Sequence, residues 1–326
     1  METIRLFFGH YFSIDFFRRV FWFDRYRVKT PIFFNFLEIE VDVVEDLKDQ
    51  IAVVTGGSRG VGKGVALALG EKGCTVYVTG RTLGDGDRTI DTTARLVTEM
   101  GGEGRSIRCD HGDDRDIEAL FVRIGKEVGS IDILVNNVYK IPNPPAWGGG
   151  YWDHPIQVWD DQVGIGLRAH YVASWHAASL MFKSKSARML NVSSPGGQSY
   201  HFSCSYGAGK AGLDRLTADM AIELQPKGIP ACVLYPGAVS TEFIVDASKE
   251  REMDLSESQT PLLVGRAATA LLMDDDLMSR TGTIQWVEDL IEEYDLYDEN
   301  GSRPTEKYAS RISQGENHRW APDVNK

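Results

Sequence analysis

Short apolar runs alternate with helical stretches from residue 47 onward, and this alternation constrains the fold more than any other feature of the chain. The runs are 51–55 (IAVVT), 74–80 (CTVYVTG), 104–110 (GRSIRCD), 131–137 (IDILVNN), 188–192, 229–237 (IPACVLYPG) and 282–288 (GTIQWVE). Each is rich in β-branched or apolar residues and bounded by glycine, proline or polar residues, so each reads as a buried strand. Helical pattern covers the stretch up to about residue 73, then 89–100, 115–128, 157–184, from Tyr206 to about 225, and 262–274. Parallel strands need crossovers of about a dozen residues, usually helices. The alternation therefore predicts one α/β domain over 47–290: a doubly wound parallel sheet of about seven strands with helices on both faces. Nothing repeats at a fixed period and no linker divides the chain.

Composition fills in the margins. An apolar fraction of 42% suffices for a core, and a net charge of −12 argues against nucleic-acid binding. Cys74, Cys109, Cys204 and Cys232 show no metal-binding spacing, and three of them fall in or beside strands, as reduced thiols of an intracellular protein would. His111, His154, His170, His176 and His201 likewise lack metal-like spacing, so no metal is expected. Residues 1–46 crowd aromatic and basic side chains (FFRRVFWFDRYR) without a helical period. They read as an extension outside the fold that could lie against a membrane surface, with a cytoplasmic or peripheral endoplasmic-reticulum location. The segment 242–258 is polar, and a polar tail is expected over 291–326.

Between the first strand and its helix lies TGGSRGVG, residues 55–62. Gly56, Gly60 and Gly62 let backbone approach a pyrophosphate, and Ser58, Arg59 and Val61 lie in the same turn at the helix N-terminus, whose partial positive charge favours an anion. A dinucleotide site selective for NAD places an acid at the end of the second strand; here the segment ends in Gly80 and Arg81. Arg81 together with Arg59 suits a 2′-phosphate and so favours NADPH.

The stretch 191–210, NVSSPGGQSYHFSCSYGAGK, carries the chemistry. Tyr206 and Lys210 are four apart and share one helix face. A phenol ordinarily titrates near pH 10, and a neighbouring cation lowers that value towards the range where the phenol can pass protons. A serine at the preceding strand end could hydrogen-bond a substrate oxygen opposite the phenol.

TGGSRGVG, Asp110 after the third strand, NNVY (136–139), the Ser–Tyr–x–x–x–Lys set and PGAVST (236–241) occur in an order that resembles the short-chain dehydrogenase/reductase family over about 48–288. The resemblance implies a Rossmann-type fold and oxidoreduction of carbonyl or alcohol groups with NADP(H). It implies Tyr206 as proton donor, with Lys210 lowering its pKa and binding the nicotinamide ribose. Ser194 is the expected oxygen-positioning serine, with Ser193 as the alternative. Asp110 is expected at the adenine, Asn136 on the cofactor floor and tying strands together, and Pro236, Gly237 and Thr241 against the nicotinamide. The family's helix asparagine, which holds a relay water, is replaced by Gly166; a glycine there leaves room for water, with Gln162 one turn earlier to help. Trp147, Tyr151, Trp152, Trp159, Phe202 and Phe243 suggest a flat apolar carbonyl substrate such as an aromatic ketone or ketosteroid. The resemblance also implies a homodimer or homotetramer, for which Ala208, Ala211 and Gly212 would permit close helix contact. A cofactor-bound protein without turnover, acting as a redox sensor or scaffold, is the competing reading; the retained Ser–Tyr–Lys set speaks against it.

Overall fold

The computed structural model describes residues 47–305, residue 252 excepted. The strands are Ile51–Thr55 (β1), Thr75–Gly80 (β2), Glu103–Arg108 (β3), Ile133–Asn136 (β4), Arg188–Val192 (β5), Ala231–Tyr235 (β6) and Ile284–Trp286 (β7). They form one parallel sheet in the order β3-β2-β1-β4-β5-β6-β7. Among the described residues the helices, in chain order, are Gly60–Glu71 (α1), Ile90–Glu99 (α2), Asp114–Glu127 (α3), 157–181 (α4), Cys204–Leu224 (α5), Glu242–Arg251 (α6), Pro261–Leu272 (α7) and Val287–Glu293 (α8). The chain winds outward from β1 to β3, then crosses back to β4 and winds the other way. This reversal opens a crevice at the carboxyl ends of β1 and β4, the place where open α/β sheets bind ligands.

Strand side chains alternate between two cores. Val54, Val76, Val78, Val135 and Leu190 pack beneath α1, α2, α7 and α8. Val53, Tyr77, Leu134 and Met189 pack against α3, α4 and α5 on the other face. Register follows: Val53 lies opposite Tyr77 on one side and Leu134 on the other. Helices α1 and α7 meet backbone to backbone. A Cβ on Gly64 would lie 1.7 Å from the Pro261 carbonyl oxygen, and one on Gly265 would lie 2.1 Å from that of Gly64.

Three expectations change. The polar segment 242–258 contains α6, none of whose described residues is buried, so no apolar face announces it in the sequence. The tail begins later than residue 291, because Ile291 and Leu296 are buried in the α7/α8 core. Helix α4 is not uniformly α-helical: over Asp160–Arg168 it widens to i→i+5 hydrogen bonding. Cys74, Cys109 and Cys232 are buried free thiols, each pushed up to about 12 by burial, while Cys204 is exposed. The aromatic-basic segment 1–46 lies outside the described residues.

Candidate active site

A cavity of about 850 Å³ lies over the carboxyl ends of the strands. Gly56, Ser58, Arg59, Gly60, Val61, Arg81, Asp110, Ser194, Tyr206, Lys210, Pro236, Gly237 and Thr241 all line it. Gly62 and Asn136 do not. Asn136 is fully buried and donates to Ser174 Oγ and Asn191 Oδ1 (both 2.9 Å), so it ties β4 to β5 and α4 without reaching a cofactor floor. Its neighbour Asn137 lines the cavity instead and braces the glycine turn through Thr55 O (2.9 Å) and Gly56 O (3.1 Å). Gly62 makes room for that brace, since a Cβ there would lie 2.3 Å from Asn137 Nδ2.

The turn has the geometry of an anion cradle. Gly56 has φ +69°, and a Cβ on it would lie 2.8 Å from Val138 Cα, so only glycine fits. At the start of α1 the Gly60 N–H donates to the Glu242 carboxylate (2.7 Å), so this amide is turned towards a negative group. A dinucleotide pyrophosphate suits the same end of the helix. Further along, Arg81 Nη1 lies 4.0 Å from Asp110 Oδ2, and both side chains are well exposed, so this pair contributes little and leaves the guanidinium able to meet a phosphate. Arg88 joins the same rim and is held to α6 by Asp246 (2.5 Å).

Helix α5 is capped by Ser203, whose Oγ accepts the Tyr206 N–H (3.2 Å). Tyr206, Lys210 and Asp214 then follow at one-turn spacing. Lys210 is buried and donates to Val192 O at the end of β5 (3.1 Å). Burial pushes its ammonium down to about 8 against the opposing pull of Asp214. Burial also raises the Asp214 carboxyl, which accepts the Tyr235 hydroxyl. The two serines after β5 differ. Ser193 is buried and turned towards α5, donating to Lys210 O (3.3 Å). Ser194 is half-buried and accepts the Gly196 N–H (3.0 Å), which leaves its proton to be given elsewhere. The Pro195–Gly197 turn lies on the Tyr206 ring; a Cβ on Gly196 would be 2.4 Å from Tyr206 Cε1.

Gly166 does line up beside the site, but the space it leaves belongs to a side chain. A Cβ there would lie 3.1 Å from Tyr139 Cδ2. Gln162 is equally engaged: its Nε2 donates to the Tyr139 hydroxyl (3.0 Å), and its Oε1 accepts from Ser203 (2.9 Å) and Ser205 (2.5 Å). The expectation of a water pocket at Gly166 is therefore replaced by a seat for the Tyr139 ring.

At the open end, Trp147 packs on Phe202 and Phe243, with ring centroids 6.1 and 5.5 Å apart, and the Arg251 guanidinium stands 4.5 Å over Trp147. Phe202 also meets the Tyr206 ring at 5.2 Å. Tyr151, Trp152 and Trp159, expected to share this wall, are exposed and away from the cavity. His111 and His170 are core residues bonded to Thr79 Oγ1 (2.9 Å) and Val138 O (2.8 Å), and burial lowers them to about 4 and about 3.

Asn137, Tyr139 and Asp214 escaped the sequence reading. Asp214 had a signal, since it continues the four-residue spacing of Tyr206 and Lys210. Tyr139 stands in NNVY, where its bulk marks it, but its contacts come from a helix far along the chain.

The sequence profile of the short chain dehydrogenases matches residues 50–252. The chain is 36% identical over 284 residues to dehydrogenase/reductase SDR family member 1 of Mus musculus, covering 82% of this chain and 88% of that protein. The Homo sapiens protein of the same name is 35% identical over 283 residues, with the same coverage of 82% and 88%. A short-chain type dehydrogenase/reductase from Mycobacterium marinum superposes with a TM-score of 0.63 at 25% identity, covering 74% of this chain and 95% of that one. With this fold, this cavity and these similarities, the chain belongs to the short-chain dehydrogenase/reductase family, oxidoreductases that act on CH–OH and C=O groups with a nicotinamide cofactor.

Proposed function

We propose that the protein is an NADPH-dependent carbonyl reductase with Tyr206 as its proton donor. The observation that carries the reading is the buried Lys210 ammonium one turn from Tyr206, on the floor of the cavity that also holds the glycine turn. Gly56, Gly60, Thr241, Pro236 and Gly237 would hold the cofactor's phosphates and nicotinamide, Asp110 its adenine end, and Arg59 and Arg81 its 2′-phosphate. The bound cofactor supplies the hydride. Tyr206 gives its proton to the carbonyl oxygen as that oxygen gains charge, and the Lys210 ammonium stabilises the phenolate left behind. Ser194 donates to the same oxygen and holds it near the phenol. Asp214 offsets part of the cost of burying the lysine.

Trp147, Phe202 and Phe243 form a flat apolar wall that suits an aromatic ketone or a ketosteroid. Pairing of subunits through α4 and α5 belongs to this reading, and it would cover Trp175 and Ile222, which are 65% and 69% exposed on these helices. Among the described residues no helix is long and apolar enough to cross a membrane; intracellular location, with membrane contact through residues 1–46, is proposed from sequence. Oxidation of NADPH, followed by absorbance against a panel of aromatic ketones, dicarbonyls and ketosteroids, tests the function. Turnover with at least one class is expected. Tight NADPH binding without turnover on any of them would favour the non-catalytic reading.

A further inference from the structure

Beside Tyr206 and Lys210 stands a second phenol that the reduction chemistry does not use. Tyr139 follows β4, and its ring meets that of Tyr206 edge-on, with centroids 5.8 Å apart and planes at 84°. Lys210 Nζ lies 5.4 Å from the Tyr139 centroid, nearer than the 5.9 Å to Tyr206 itself. An ammonium this close to an aromatic face is attracted to its negative quadrupole, more so where water is scarce.

One edge of the ring rests on α4. It lies against Gly166, in the segment Asp160–Arg168 where the helix widens. Such widening is rare and tends to mark functional places, because it gives up regular helix geometry to make room. The hydroxyl is fixed as well. Gln162, from the same widened segment, donates to it and accepts from Ser203, the cap residue of α5. Ser203 in turn accepts the Tyr206 N–H. One amide therefore links the Tyr139 hydroxyl to the first turn of the helix that carries the proton donor.

We propose that Tyr139 is a positioning residue for the Tyr206–Lys210 pair: seated on Gly166 and held by Gln162, its ring walls the ammonium from water and sets the approach of the Tyr206 phenol. The proposal rests on Tyr206 being the proton donor. The groups facing Lys210 are Asp214 one turn on, Tyr206 one turn back, His170 from α4, Tyr139, and Tyr235 through its bond to Asp214. His170 is held neutral by burial, which leaves the ammonium's access to water and its attraction to Asp214 to set its charge, and Tyr139 bears on the first of these.

The test uses lysine labelled with ¹³C at Cε in the cofactor-free protein, with the Lys210 signal assigned from Lys210→Met. Its titration midpoint is expected near the value of about 8 set by burial. Tyr139→Ala admits water and should raise the midpoint by about one unit or more, since lost desolvation favours the charged form. The same variant should lower kcat on the order of 10-fold, the scale of a misplaced catalytic group. Tyr139→Phe keeps the ring and should lose only about 2–3-fold, the share of one hydrogen bond. Gly166→Ala pushes on the ring and should reduce turnover, but it should add nothing in the Tyr139→Ala background. If Tyr139→Ala fails to fold, Tyr139→Val removes most of the ring and should move the midpoint the same way, since it too opens the ammonium to water. A midpoint unmoved in the folded variant that lacks the ring, or a Gly166→Ala effect that persists without the ring, overturns the proposal. Absence of turnover in the parent protein would refute the reductase reading instead, while the titration still decides on the wall.

Discussion

Burying the Lys210 ammonium should cost stability in a way that pH reveals. Its pKa falls from an ordinary 10.5 to about 8, and a shift of this size corresponds to roughly 3 kcal/mol between the charged and neutral forms. The folded pKa is depressed. Between about pH 8 and 10.5 the unfolded chain therefore binds a proton that the folded chain does not. Stability contributed by this group is at its lowest below pH 8 and recovers as pH rises through that window. Lys210→Met has nothing to titrate there. Its melting temperature relative to the parent should be most favourable near pH 7 and should decline as pH approaches 10. For a domain of this size about 1 kcal/mol corresponds to roughly 2–4 °C, so the relative change should approach about 6 °C or more. Burial raises the Tyr235 and Tyr139 phenols above their ordinary range, so in the folded protein both stay protonated through this window. Asp214 loses its cation in the variant, and its raised carboxyl can take a proton to stay neutral. Calorimetric melting of both proteins from pH 7 to pH 10, without cofactor, measures the difference. A difference independent of pH would refute the burial of a charged lysine.

Replacing Arg81 with Ala, alone and together with Arg59→Ala, should weaken NADPH by about 1.5–3 kcal/mol and leave NADH within a few-fold; titration of both cofactors checks this, and equal weakening would make the arginines structural. Gly64→Ala sets a Cβ against the Pro261 carbonyl at the α1–α7 crossing. It should destabilise by about 1–3 kcal/mol or more, and an unchanged chemical denaturation midpoint would contradict that contact.

Much of this architecture was legible because it is local. Strand runs such as 51–55 and 131–137 carry their burial in their own composition, and the helices between them force parallel pairing. The glycine turn and the Tyr206–Lys210 spacing are likewise properties of adjacent residues. Asn136 ties the strands as expected, but the cavity wall falls to Asn137, because a strand's two faces differ by a single residue and its exact end decides which amide reaches the cavity. Helix α6 was missed because a helix that buries nothing has no apolar stripe. The buried Ile291 and Leu296 sit among acidic neighbours that made the segment read as solvent-exposed. The seat of Tyr139 on Gly166 joins residues far apart in the chain through a widened helix, and no periodic pattern encodes that widening.

Tyr206→Phe is the most direct test of the proposed chemistry, because it deletes one hydroxyl while the ring keeps its contacts with Phe202 and Tyr139. NADPH affinity should stay within a few-fold of the parent, and kcat for carbonyl reduction should fall on the order of 10²-fold or more, the size of a lost general acid. Near-parental kcat in a variant that still binds NADPH would contradict the assignment of Tyr206 as proton donor.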